Sequence, residues 1–111
     1  MRKVGLAKVH GRSMLPTLVD GDRLLVRYDS VPRPGDLVLV RLPDAAEVTR
    51  PLAVKRAAWR EGGGWWVERD NPSEGVDSWA VGVVPDRDVV AVVLARVWPP
   101  RPGRSRGAVR D

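Results

Sequence analysis

The amino-acid sequence predicts an all-β domain, a compact coiled barrel or sandwich with little helix. Three observations predict it. The apolar inventory is rich in Val and Leu and contains no Phe, and β-branched residues favour pleated, half-buried surfaces. Ten prolines and eleven glycines are spread along the chain, marking many turns. Between the turns lie short apolar-rich segments at regular spacing, the pattern of a sandwich or barrel.

In chain order, Met1 to Val9 has no uninterrupted apolar run and does not read as a cleaved leader. Asp22 to Tyr28 reads as a strand, Val31-Pro-Arg-Pro-Gly-Asp as a turn, and Leu37 to Leu42 as a second strand. Pro43 to Arg50 is polar and loop-like, Leu52 to Trp59 a third strand, and Glu61-Gly-Gly-Gly a hairpin tip. Trp65 to Arg69 returns as a fourth strand, followed by a turn-rich stretch from Asn71 to Ser78. Val89 to Trp98 is apolar at nearly every position, so it is expected to be buried on both faces until Pro99-Pro100 ends it. A short helix after Ser13 or near Pro85 is compatible with this pattern and not required by it. Trp65 and Trp66 are neighbours on a strand and point to opposite faces, which disfavours a joint base-stacking platform and puts one of them in the core.

The 111 residues fit one domain, expected over 1–98, with a basic, disordered tail over 99–111. Of the net charge of +5, Arg101, Arg104, Arg106 and Arg110 lie in that tail against the single acid Asp111. The body is therefore near neutral, and no nucleic-acid partner is expected. There is no cysteine and a single histidine, His10, which excludes disulfides, thiolate metal sites and His-rich clusters. No apolar run approaches the ~20 residues that span a bilayer. The expectation is a cytoplasmic protein without a membrane anchor, cofactor or bound metal.

Gly11-Arg-Ser-Met-Leu-Pro-Thr-Leu-Val-Asp-Gly-Asp is the most informative stretch. Glycine and proline around Ser13 impose a fixed, irregular backbone that can present a side chain and an amide together. That suits a nucleophile whose own N–H helps bind an oxyanion; it equally suits an ordinary serine capping a helical turn. A serine nucleophile needs a base. His10 is near in sequence without necessarily converging. Lys55 lies in the apolar strand Leu52-Ala-Val-Lys-Arg-Ala-Ala-Trp, and desolvation there would disfavour its ammonium. Alternation alone leaves open whether Lys55 faces the core or solvent.

These residues resemble the nucleophile box of signal peptidase I-type Ser/Lys proteases, whose fold is shared by repressor-type self-cleaving domains. Gly21-Asp22-Arg-Leu-Leu-Val, Pro34-Gly-Asp-Leu-Val, Val54-Lys-Arg and Asp70-Asn71 through Asp77-Ser78 to Gly82 and Val84-Pro85 resemble the later boxes in the same order. The resemblance implies Ser13 as nucleophile, Lys55 as general base and the Ser13 N–H as an oxyanion donor. Gly11, Arg12 and Met14 would lie on the oxyanion and substrate side, and Arg56 and Asp70 would form a structural ion pair. The chain departs from the family pattern in three places. Arg69 stands for a glycine. Gly75 replaces the lysine-orienting serine, leaving Ser78 or Ser73 to serve, with Ser78 preferred. Trp79 replaces an arginine, so Asp77 is expected to lack its usual partner.

With twelve residues before Ser13, the Trp-Trp pair after a glycine tip and Asp-Asn-Pro in the last box, the chain resembles the anchorless subgroup that matures nickel-type superoxide dismutase precursors. The implied activity is an endopeptidase that removes an N-terminal propeptide from a partner protein through an acyl-enzyme. The alternatives are a non-catalytic or a self-cleaving regulatory domain on the same scaffold. A non-catalytic module predicts Lys55 out of reach of Ser13. A self-cleaving repressor needs a longer segment before its nucleophile.

Overall fold

A computed structural model describes residues 3–42 and 52–100. The expected loop from Pro43 to Arg50, and residues 101–111 of the expected tail, lie outside them. Seven strands form one antiparallel sheet: β1 (Val4–Lys8), β2 (Arg23–Tyr28), β3 (Leu37–Val40), β4 (Ala53–Glu61), β5 (Gly64–Glu68), β6 (Val84–Pro85) and β7 (Val89–Trp98). Their spatial order is β1-β2-β7-β3-β4-β5-β6. The sheet curls into a half-barrel, the all-β architecture expected. One short helix, α1 (Ser78–Val81), and a 3₁₀ turn at Asp86–Asp88 are the helical elements among the described residues, and no helix there is long and apolar enough to cross a membrane.

Strand alternation creates two cores. On β2, Leu24 and Val26 are fully buried and alternate with exposed Arg23 and Arg27. They join Val9, Met14, Leu18, Leu39, Val54 and Ala91 in the first core. Val38, Val40, Ala57, Trp65, Val67, Val84 and Val92 form the second. Consecutive β7 residues Ala91 and Val92 therefore face different cores, as an unbroken apolar run allows.

That double burial stops at Val92, contrary to the expectation for the whole strand. Leu94, Val97 and Trp98 are 50%, 45% and 53% exposed. β3 pairs β7 only between Val89 and Val92. Beyond that point β2 is its one strand neighbour among the described residues; Val93 still packs against the first core, and the strand then runs past it.

Two strands escaped the reading of the pattern. β1 points Gly5 and Ala7 inward, opposite Val26 and Leu24, so its buried face carries no large apolar residue to mark it. Gly5 lets the Tyr28 ring come close: a Cβ there would lie 2.6 Å from the Tyr28 hydroxyl, and the ring would have to shift. β6 has two residues and pairs at Gly64 and Trp65. A Cβ on Gly64 would sit 2.1 Å from the Val84 carbonyl oxygen, so the last glycine of the tip admits β6 to the sheet. The two tryptophans do take opposite faces. Trp65 is buried in the second core, while Trp66 stacks on its cross-strand partner Trp59 with ring centroids 5.5 Å apart and meets Trp79 edge-on at 5.1 Å.

Candidate active site

The segment between β1 and β2 is a rigid bend. The Gly11 N–H donates to Asp20 Oδ1 at 2.7 Å, and Gly11 has φ +85°, a left-handed backbone that glycine adopts without steric cost. Val9 N–H donates to the Asp22 carbonyl and Gly21 N–H to the Val9 carbonyl, each at 2.8 Å. Leu18 N–H closes a helical turn on the Met14 carbonyl at 2.9 Å. Met14 and Leu18 are 2% and 4% exposed in the first core, so packing anchors the bend on both sides of its proline. Ser13, next to the Met14 anchor, is half-buried.

Lys55 sits on β4 directly opposite Val38, two residues before fully buried Ala57. Residues opposite one another, and residues two apart on a strand, share a face. Its side chain therefore runs through apolar surroundings and is only 1% exposed. Its Nζ donates to Ser13 Oγ at 2.9 Å. His10 is exposed and borders the same cavity as Ser13; Lys55 is the group that meets the hydroxyl.

The segment from Arg69 to Asp77 backs the bend. Asp70 accepts from Arg56 Nη2 at 2.6 Å, from Arg56 Nε at 3.2 Å and from Thr17 Oγ1 at 2.6 Å. Burial lifts the Asp70 carboxyl, but the bonds from Arg56 and Thr17 outweigh it and hold the group below its ordinary 3.8. The bond to Asp70 conversely raises the Arg56 guanidinium above its ordinary value, outweighing desolvation. Arg56 Nη1 also donates to the Gly35 carbonyl at 2.9 Å. This cluster ties the bend, the turn before β3 and β4 together at the residue next to Lys55. Asn71 adds two more ties, donating from its backbone N–H to the Ser13 carbonyl and from Nδ2 to the Arg12 carbonyl, both at 2.8 Å.

Two of the departures from the family pattern answer one another. Asp77 is 2% exposed and was expected to lack a partner; Arg69, the residue standing for a glycine, supplies one. Asp77 Oδ2 accepts the Arg69 N–H at 3.0 Å, and Asp77 Oδ1 lies 3.5 Å from Arg69 Nη1. Asp77 also caps α1 by accepting the Trp79 N–H at 3.1 Å. Arg69 further donates to the carbonyls of Asn71 and Pro72, each at 2.9 Å.

The third departure is steric. Gly75 has φ +105°, and a Cβ on it would lie 2.4 Å from Ser13 Cβ. The backbone at 75 touches the Ser13 side chain, which leaves no room for a serine there. Ser78 is 1% exposed and its Oγ accepts the Val67 N–H at 2.8 Å, joining α1 to β5. Ser73 is exposed, its N–H bonded to Asn71 Oδ1 at 3.0 Å. The steric need at Gly75, the Thr17 contact and the double grip of Asn71 had no signature in residue pattern.

A cavity of about 330 Å³ opens beside Ser13, lined largely by Leu6, Val9, Met14, Tyr28, Leu39 and Val54. Two strand edges border it. Among the described residues, β1 pairs only with β2, and β4 before Arg56 pairs only with β3, because pairing with β5 starts at Arg56. Unpaired edges are templates for an added strand.

Residues 1–93 match the peptidase S24-like family. The chain belongs to that family. The peptidase S24-like region runs from before β1 to Val93 of β7, so the Ser13–Lys55 contact, the Asp70 cluster and the cavity all fall inside it. No curated protein matches the chain.

Proposed function

We propose that this chain is a serine endopeptidase in which Ser13 is the nucleophile and Lys55 the general base. The observation that carries the reading is the 2.9 Å hydrogen bond between Lys55 Nζ and Ser13 Oγ, made by a lysine that is 1% exposed. Burial disfavours an ammonium, and a neutral amine can take the hydroxyl proton as Oγ attacks a peptide carbonyl. The tetrahedral oxyanion is received by the Ser13 N–H. The C–N bond then breaks, the Lys55 ammonium protonates the departing amine, and an ester to Ser13 remains. Water, giving its proton to Lys55, hydrolyses that ester and restores the hydroxyl. Arg56 and Asp70 stiffen β4 beside the base, while Asp77 and Ser78 brace the segment behind the nucleophile.

The substrate is an extended protein segment laid between the edges of β1 and β4, with an apolar side chain in the 330 Å³ cavity. The finer reading is removal of an N-terminal propeptide from a nickel-type superoxide dismutase precursor in the cytoplasm. It rests on the resemblance carried by Trp65-Trp66 and Asp70-Asn71-Pro72; metal then belongs to the substrate. A non-catalytic module on this scaffold requires Lys55 away from Ser13, which the 2.9 Å separation opposes.

The test incubates the chain with that precursor and with a peptide library, read by mass spectrometry from pH 6 to 9. Wild type cleaves, faster toward alkaline pH as Lys55 loses its proton, while Ser13→Ala and Lys55→Met abolish cleavage with little change in thermal midpoint. Undiminished cleavage by Lys55→Met would sink the mechanism. Cleavage of library peptides with the precursor left intact would sink only the substrate assignment.

A further inference from the structure

An oxyanion donor must be aimed as well as present. The Ser13 N–H shares a peptide plane with the Arg12 carbonyl, and a trans peptide points its N–H and C=O in opposite directions. The donor is therefore aimed by whatever grips the Arg12 carbonyl. Asn71 Nδ2 grips it at 2.8 Å. The next plane joins the Ser13 carbonyl to the Met14 N–H, and the Asn71 backbone N–H holds that carbonyl at 2.8 Å. One residue thus fixes the peptide planes on both sides of the nucleophile.

Asn71 is itself immobilised. Its Oδ1 accepts the Ser73 N–H at 3.0 Å and its carbonyl accepts Arg69 Nε at 2.9 Å. An amide side chain that accepts through oxygen and donates through nitrogen can do both here in one orientation only. Neither aspartate nor alanine reproduces that pair of contacts. The Gly75 backbone packs against Ser13 so closely that a Cβ there would lie 2.4 Å from Ser13 Cβ.

We infer that Asn71 is the positioning residue of this site: its grip on the Arg12 and Ser13 carbonyls turns the Ser13 N–H toward the developing oxyanion. The inference rests on Ser13 acting as the nucleophile proposed above. It separates two functions, since Lys55 governs the proton and Asn71 governs the donor. A merely structural asparagine would not discriminate between them.

The probe is a short peptide boronate with an alanine-like side chain at boron, which forms a tetrahedral adduct with a serine hydroxyl and mimics the oxyanion. Wild type, Ser13→Ala, Asn71→Ala and Asn71→Asp are compared by boronate affinity, by kcat and KM on a library peptide that wild type cleaves, and by pH–rate profile. Asn71→Asp keeps the shape and the Ser73 contact but cannot donate to Arg12, so it serves if Asn71→Ala fails to fold. The expected result in both variants is a roughly ten- to hundred-fold loss of boronate affinity and of kcat. KM should stay within about twofold, and the pH midpoint should not move because Lys55 is untouched. Wild-type boronate affinity and kcat in a folded variant overturn the inference, as does a loss explained wholly by a shifted pH midpoint. If wild type binds the boronate no better than Ser13→Ala and cleaves nothing, the nucleophile reading itself fails and takes this one with it.

Discussion

Restoring a serine at position 75 tests whether the site is built around a glycine. The virtual Cβ stands 2.4 Å from Ser13 Cβ, whereas carbon atoms rest about 3.5–4.0 Å apart. Gly75→Ser therefore forces a separation of about 1 Å or more between the loop and the nucleophile. The same substitution places an L residue at φ +105°, a strain of about 1–3 kcal/mol. The loop cannot retreat freely, because Asn71 and Asp70 anchor it to the bend and to β4. Misplacing a reacting atom by about 1 Å can lower the rate roughly a hundred-fold, or about 2.7 kcal/mol in barrier. The assay is kcat/KM on a cleaved peptide for wild type, Gly75→Ala and Gly75→Ser, with a denaturation curve for each. Both variants should lose about two orders of magnitude, the alanine as much as the serine, because the damage comes from Cβ. Activity retained or raised in Gly75→Ser alone would refute the reasoning, showing that the loop yields and that a hydroxyl there helps Lys55.

Arg69→Met should lower stability by about 1–3 kcal/mol in chemical denaturation, since it removes the cation beside the buried Asp77 carboxylate; an unchanged midpoint would mean the two main-chain bonds to Asp77 suffice. The Asp70 carboxyl titrates below its ordinary 3.8 in the folded chain, so its contribution is present above that value and fades as pH falls through the lower folded one. Asp70→Asn should therefore cost about 1 kcal/mol at neutral pH and flatten the fall of thermal midpoint below pH 4; identical acid slopes for both proteins would discount the pairing.

Much of the sheet could be read from residues because short apolar runs are bounded by polar residues and turns, as Leu24-Leu25-Val26 is by Arg23 and Arg27. β1 stayed hidden because its inward positions carry Gly5, which lies close to the Tyr28 ring, and Ala7, neither of which has bulk. The end of β7 was assigned too much burial because apolar content does not reveal where the neighbouring strand stops. At the site, the order of motifs singled out Ser13 and Lys55, which the fold brings to 2.9 Å. What the motifs could not convey was compensation in space. Arg69 and Trp79 counted as two separate departures, yet Arg69 reaches the carboxylate for which Trp79 provides no charge. Gly75 counted as a missing hydroxyl, whereas only its contact with Ser13 explains it.

The sheet order has a consequence for biosynthesis. β2, which follows the Ser13 bend, and β3, which pairs with the Lys55 strand, share the first core but are not hydrogen-bonded neighbours; β7 is the splice between them in the sheet. A chain cut short before Val89 carries Ser13 and Lys55 but not the strand that joins β2 to β3 in the sheet. Synthesis thus reaches the strand that joins the two halves of the described sheet only after Ser13 and Lys55 are already on the chain.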